Sequence, residues 1–269
     1  MEGKPLNTEQ QTKVVELAGL RFGEGAPKLC VPLVAQDISA LEREAAAISS
    51  LPADLCEWRL DYFTGEFQEG IALLRRMLPG TPLLCTVRTR HDGGLFDGAP
   101  EEYEQVLLTM LQQGGFELLD VELSCGEDRV KSLVKAARAQ GVGVIVSSHD
   151  FAKTPDESEM VSTLLKMSAL GADLPKLAVM PQSAQDVLAL LSATLRASQE
   201  IGPVVTMAMG ALGVPSRVVG QLFGSCMTFG AGQSSSAPGQ LGAEDLKLIL
   251  QKLDANTEQT ESGATQYEK

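Results

Sequence analysis

The chain has 269 residues, 44% of them hydrophobic, and a formal net charge of −13. That length supports a sizeable core, and α/β barrels reach it as a single domain. The acidic balance argues against a nucleic-acid partner or an anionic membrane surface, so an anionic ligand has to be met locally by a few arginines in a cleft.

Residues 1–15 begin "MEGKPLNTEQQTK", polar and without the apolar stretch of a secretory signal, and read as an extension outside the folded domain. "VVELAGLRFGEGAPK" then reads as a hairpin turning around residues 23–27 and closing a barrel floor. From there, short apolar runs alternate with amphipathic helical stretches. Strands are expected over 29–35, 54–60, 82–89 and 117–123, followed by helices from Ile38, Gln68, Glu101 and Glu127. The third helix opens with Pro100, then Glu101 and Glu102 at the positive end of its dipole. Further strands are expected over 143–148, 174–180, 204–209 and 226–231, with helices from Pro155, Ala184 and Pro215 and a last one over 243–253. The Pro155 helix carries Thr154 as N-cap and Glu157 to close a capping box. Residues 255–269 are polar with one aromatic, Tyr267, and read as a disordered tail.

Eight strand–helix units over 16–254 predict parallel strands and a (β/α)8 TIM barrel as the single catalytic domain. An open Rossmann sheet would need GxGxxG after an early strand, whereas "GVGVIV" at Gly141 precedes its strand and lacks the third glycine. The five cysteines are widely spaced with no CxxC, which predicts neither disulfides nor a zinc site. With no apolar run of about 18 residues, the expectation is a cytoplasmic protein.

A barrel places its chemistry at the C-terminal ends of its strands. In "CEWRLD" the alternation puts Glu57, Arg59 and Asp61 on one face and Cys56, Trp58 and Leu60 on the other. Arg88 shares a face with Leu84 and Thr86, Asp120 and Glu122 lie on the fourth strand, and "VSSHDF" ends the fifth with His149. Lys176 sits inside the apolar sixth strand, and loops seven and eight bring Arg217 and the Gly/Ser-rich "GAGQSSSAPGQ". Asp61 and Arg90 read as solvated rim charges. Asp120 and Glu122 are either functional or ionic packing against Arg59 or Lys176, and Met207 and Met209 are core. "SSHD" is no hydrolase triad, since strand neighbours point apart and GxSxG is missing. A lysine in an apolar barrel is expected to lose its charge readily, and a neutral amine attacks ketones. The iminium so formed acidifies the neighbouring C–H, and a histidine suits that proton transfer. The residues alone thus predict Schiff-base chemistry on a carbonyl compound held by arginines.

"CEWRLDYF", "CTVRT" followed by "DGG", "VSSHDF", "LPKLAVMPQ", "MGALGVPSR", "FGSCMTFG" and "SSSAPGQLGAEDL" occur in an order that resembles type I 3-dehydroquinate dehydratase, from about Gly23 to Leu253. The resemblance implies a (β/α)8 homodimer without metal or cofactor that converts the anion 3-dehydroquinate to 3-dehydroshikimate by syn elimination. It implies Lys176 as the imine-forming residue and His149 as general acid/base. Glu57, Arg59 and Arg88 would hold ring hydroxyls, Arg217 the carboxylate, and Ser236 and Gln240 would close from the eighth loop. Asp92 stands where the family usually has a glutamate supporting the histidine, one methylene shorter, and His91 beside it is extra to the pattern and is expected on a loop surface. "MGALG" departs from members with a charged residue there, while Gly213, Ser216 and Arg217 match. A class I aldolase on a phosphorylated substrate and a quinate-sensing barrel without catalysis are the competing readings.

Overall fold

Strand side chains alternate between two faces, and a closed ring of strands turns those faces into an inside and an outside. The computed structural model describes residues 13–233 and 236–263. A hairpin of β1 (Val15–Leu17) and β2 (Leu20–Phe22) precedes the barrel. The barrel strands are β3 (Lys28–Leu33), β4 (Leu55–Arg59), β5 (Leu83–Thr86), β6 (Leu118–Glu122), β7 (Gly143–Asp150), β8 (Leu174–Val179), β9 (Val205–Ala208) and β10 (Met227–Phe229). Following them in turn are α1 (Ile38–Ile48), α2 (Phe67–Met77), α3 (Pro100–Gln113), α4 (Glu127–Ala139), α5 (Glu157–Ala169), α6 (Ala184–Ile201), α7 (Gly210–Val219) and α8 (Ala243–Gly263). The strands run parallel in the order β10-β3-β4-β5-β6-β7-β8-β9. Between β9 and β10 the ring closes through a single parallel bridge, Val204 to Ser225. The expected (β/α)8 barrel is therefore the observed fold.

Two apolar cores follow from the alternation. Cys56, Trp58, Cys85, Leu119, Val121, Val144, Val146, Leu177 and Val179 point outward and pack beneath the helices. Leu55, Leu84, Leu118, Ile145, Leu174 and Val205 point inward and plug the lower barrel, and the hairpin side chain of Phe22 seals that plug from below. Two residues further along β4 to β8, the inward positions change character: Glu57, Thr86, Asp120, Ser147 and Lys176 are all polar and all buried, whereas β9 keeps the apolar Met207. A second step reaches Arg59, Arg88, Glu122 and His149. The apolar plug thus supports polar layers that rise toward the strand C-termini.

Four local expectations are corrected. The hairpin turns at Ala18 (φ 54°) and Gly19 (φ 76°) rather than around 23–27, because two consecutive left-handed residues match the twist of a tight hairpin. Helix α5 starts at Glu157 behind Asp156, which is extended; the Thr154 hydroxyl caps nothing and is buried without a hydrogen-bond partner. Helix α7 starts at Gly210, and Pro215 lies inside it, where Ser216 ties the turn together by donating to Gly213 O (2.7 Å) and accepting from Ala208 N–H (2.8 Å). Helix α8 continues through residues 255–263, assigned above to the polar tail. The rest of that tail (264–269) and residues 1–12 lie outside the described residues. No described helix is long and apolar enough to cross a membrane.

Candidate active site

Above the plug, Lys176 stands on β8 with its ammonium 3.1 Å from Asp120 Oδ2 and 3.9 Å from Glu57 Oε1. Phe229 of β10 places its ring face 4.7 Å from the same nitrogen. The lysine's surroundings are therefore charged and hydrogen-bonding rather than apolar, contrary to the expectation. Asp120 also accepts from Ser147 Oγ (2.6 Å) and pairs with Arg88 (3.0 Å). Burial pushes its carboxyl up, but Arg88 and Lys176 outweigh that and hold it well below the ordinary carboxylate range. Glu57 accepts from Thr86 Oγ1 at 2.9 Å.

Arg88 has three side-chain partners and still lines the cavity. Besides Asp120, it donates to Glu122 Oε1 (3.0 Å) and Ser147 Oγ (2.9 Å). Burial works against its charge, yet these carboxylates raise its proton affinity well above the usual value. Glu122 also accepts from the Thr89 amide at 2.9 Å and from its hydroxyl at 2.5 Å. Its carboxyl is pushed up by burial, which Arg88 only partly offsets. Both acidic residues left open in the sequence thus form ion pairs, and Lys176 is one of the partners.

Arg59 lies against the Tyr62 ring (5.1 Å) and grips Asp61 through two hydrogen bonds of 2.8 and 2.9 Å. Burial opposes its charge, but the Asp61 bond prevails and raises its proton affinity. Asp61 is no rim charge. Its side chain is fully buried and also accepts from the amides of Arg88 (3.2 Å) and Leu95 (3.1 Å), pinning the loop after β5 at both ends. Arg90 is two-thirds exposed and pairs only at 3.4 Å with Asp97.

His149 ends β7 one layer above Lys176, since β7 and β8 pair Ser147 with Lys176 and His149 with Ala178. Asp92 Oδ2 accepts from both the His149 amide (3.0 Å) and Nδ1 (3.1 Å). An ionised carboxylate only accepts, so Nδ1 carries the proton and Nε2 is the basic nitrogen. Burial, then the positive charges of Arg88 and Lys176, push the imidazole down to about 3, so His149 is neutral across the physiological range. Burial would raise Asp92, but the hydrogen bond from His149 and the charge of Arg88 bring it down to about 2. Phe151 stacks on the imidazole with ring centroids 6.4 Å apart. Gly93 (φ 84°) leaves room for that ring, because a Cβ there would come within 2.2 Å of it.

Arg217, on α7, is the contrasting cation. It is buried, donates to Pro238 O (3.2 Å) and Met207 Sδ (3.5 Å), and has no carboxylate partner among the described residues; its Nε is unsatisfied. Burial alone lowers its pKa to about 10, which leaves it charged. In the loop after β10, the Ser236 amide donates to Gln240 Oε1 (3.0 Å) and Gln240 Nε2 to Ser236 Oγ (3.1 Å).

Glu57, Arg59, Arg88, Asp92, His149, Lys176, Arg217, Ser236 and Gln240 all line one cavity at the top of the barrel, with about 470 Å³ of free space counting its open mouth. The family model for type I 3-dehydroquinase matches residues 29–257. The chain belongs to the type I 3-dehydroquinase family. Among relatives, 3-dehydroquinate dehydratase of Listeria monocytogenes serotype 4a is 43% identical over 245 residues, covering 89% of this chain and 97% of that one. The Bacillus licheniformis enzyme of the same name is 42% identical over 251 residues, covering 91% and 99%. A solved type I 3-dehydroquinate dehydratase from Clostridium difficile superposes with a TM-score of 0.87 at 38% identity, covering 91% of this chain and all of that one.

Within this family frame, sequence reasoning missed the role of Asp61, whose partners come from 27 and 34 residues downstream. It also missed Phe229 and Phe151, which line the cavity as its aromatic walls. Met207 and Met209, read as core, line it too while packing in the barrel interior. Glu57, Asp61, Asp120 and Glu122 share the strand-alternation signal, and a layer-by-layer count of inward positions finds all four.

Proposed function

We propose that this cavity dehydrates 3-dehydroquinate to 3-dehydroshikimate through an imine on Lys176. The observation that carries the reading is one buried cation, Arg217, without a carboxylate partner among the described residues, in the same cavity as Lys176 and a neutral His149. Arg217 takes the substrate carboxylate by a charge-assisted pair. This supplies the locally positive site that an acidic chain needs for an anion. Glu57, Arg59 and Arg88 face the ring hydroxyls, and Ser236 and Gln240 close over them from the loop after β10.

Lys176 passes a proton to the ketone oxygen as its freed Nζ attacks the carbon, and that oxygen then leaves as water, giving an iminium with its positive charge next to Asp120 and Glu57. His149 Nε2 removes a proton from the adjacent carbon, and those electrons flow into the iminium to give an enamine. The electrons return to expel the neighbouring hydroxyl, which leaves as water with the proton His149 delivers. Hydrolysis of the conjugated imine releases the enone and restores the amine. Asp92 keeps the imidazole in the required tautomer throughout. The enzyme works in the cytoplasm as a homodimer, which sedimentation of the purified protein and fractionation of cells test.

The primary test is borohydride reduction in the presence of 3-dehydroquinate, followed by intact mass and peptide mapping. A single adduct on Lys176 together with new enone absorbance is expected. Turnover without any adduct would overturn the imine, and an adduct with no enone would leave a binding protein. Inhibition by a phosphate ester but not by quinate would instead favour the aldolase chemistry.

A further inference from the structure

His91 is the second histidine of the chain, and nothing in the chemistry above uses it. It lies in the turn after β5, where the Asp92 amide donates to Thr89 O (3.1 Å) and the Gly94 amide to the same oxygen (2.7 Å). A turn, unlike a strand, lets neighbouring side chains converge. His91 Nδ1 sits 2.7 Å from Asp92 Oδ1, while Asp92 Oδ2 takes the two donors of His149. The carboxylate is buried, yet the His91 side chain is 76% exposed. Three residues thus form a chain from the cavity to water, imidazole to carboxylate to imidazole, with both carboxylate oxygens engaged.

We propose that His91 is a positioning residue for His149: it holds the outer oxygen of Asp92 so that the inner oxygen meets His149, and its charge sets how strongly Asp92 supports the proton on Nδ1. This rests on His149 as the acid/base group. A carboxylate on a single methylene has little reach, and a donor on its far oxygen stops it rotating away. The charged groups around the chain are Glu122 beside His91, Arg88 and Glu122 beside Asp92, and Arg88, Lys176 and Asp120 around His149. Arg88, Lys176, Asp120 and Glu122 are all buried, whereas His91 stands in water and its charge follows the medium. The hydrogen bond to Asp92 raises the proton affinity of His91 above the ordinary histidine value. Below that ionisation, cationic His91 competes for the Asp92 charge and makes Nε2 a weaker base. Above it, neutral His91 still donates through Nδ1–H, and the Asp92 charge serves His149 in full. The rate therefore rises with pH through the His91 ionisation.

The experiment compares His91→Ala, His91→Asn and His149→Ala for kcat, KM and the pH profile of kcat. All three are checked by borohydride adduct formation on Lys176. His91→Ala is expected to lower kcat roughly tenfold, a fraction of the 10²–10⁴ that acid–base catalysis contributes, with KM within about twofold. His91→Asn puts an amide N–H where Nδ1–H was, so it should regain most of kcat but lose the rising limb that His91 ionisation causes in the wild type. Wild-type kcat and an unchanged pH limb in both His91 variants, with His149→Ala crippled, would overturn the role of His91 alone. Full turnover in His149→Ala would overturn the acid/base reading and the His91 proposal with it.

Discussion

Replacing Asp120 by asparagine keeps the shape of the side chain and removes one charge from the centre of the barrel. Asp120 is fully buried between Arg88 at 3.0 Å and Lys176 at 3.1 Å. In Asp120→Asn the nearest remaining carboxylates are Glu122, 3.0 Å from Arg88, and Glu57, 3.9 Å from Lys176. Removing one member of a buried pair costs about 3–5 kcal/mol, because the other charges stay behind without water. At roughly 2–4 °C per kcal/mol for a domain near this size, the melting midpoint should fall by roughly 6–20 °C at pH 7. The pH dependence has a definite sign. The folded carboxyl is held below its unfolded value, so its stabilisation is fully present above about pH 4 and lost as pH falls through the folded value. The gap between wild type and Asp120→Asn should therefore narrow below about pH 4. Urea unfolding followed by circular dichroism at pH 7, 5 and 3.5 measures both effects. A variant within about 1 kcal/mol of wild type at pH 7, or a gap that does not change with pH, would refute the charge balance described for the barrel centre.

Arg217→Met should fold at least as well as wild type, since it removes a buried cation with no carboxylate partner among the described residues. Its KM should nevertheless rise about 10²-fold, matching the ~1.5–3 kcal/mol of a charged hydrogen bond; steady-state kinetics beside a melting curve decide, and a KM rise below about fivefold would take the carboxylate away from Arg217. Asp61→Ala should release both ends of the loop after β5 and leave Arg59 unpaired, lowering stability by about 3 kcal/mol and kcat/KM by roughly tenfold. Unchanged kinetics in that variant would mean the loop holds its place without Asp61.

Period-two alternation made much of this legible in advance. It placed Glu57 with Arg59, and Arg88 with Thr86, on a shared face, and together with the residues that the family resemblance implies, nine residues expected at the site line one cavity. The failures share a cause, namely partners that are distant in the chain or a backbone choice that no pattern encodes. Asp61 reads as a rim charge until the amides of Arg88 and Leu95 arrive to bury it. Lys176 reads as a charge in an apolar strand with Asp120 as one open partner, and only the barrel, which sets Asp120 two strands away, decides that pair at 3.1 Å. Ala18 adopts a positive φ that alanine seldom takes, so the pattern points to the later glycines for the hairpin turn instead. Pro215 reads as a helix start, yet α7 begins at Gly210 and holds it inside.

The seam between β9 and β10 divides the barrel mechanically. Next to β9, by contrast, β8 and β7 are registered from Ile145–Leu174 through Asp150–Val179, and this is where His149 and Lys176 stand. Across the seam only Val204 and Ser225 pair, and the connection that spans it, α7, carries Arg217, while the loop after β10 brings Ser236 and Gln240. Amide hydrogen exchange should therefore be slower along β7 and β8, under the reacting groups, than at the β9–β10 seam. The barrel keeps its proton-transfer geometry on stiff ground and gives the task of admitting and releasing the anion to its most loosely stitched edge.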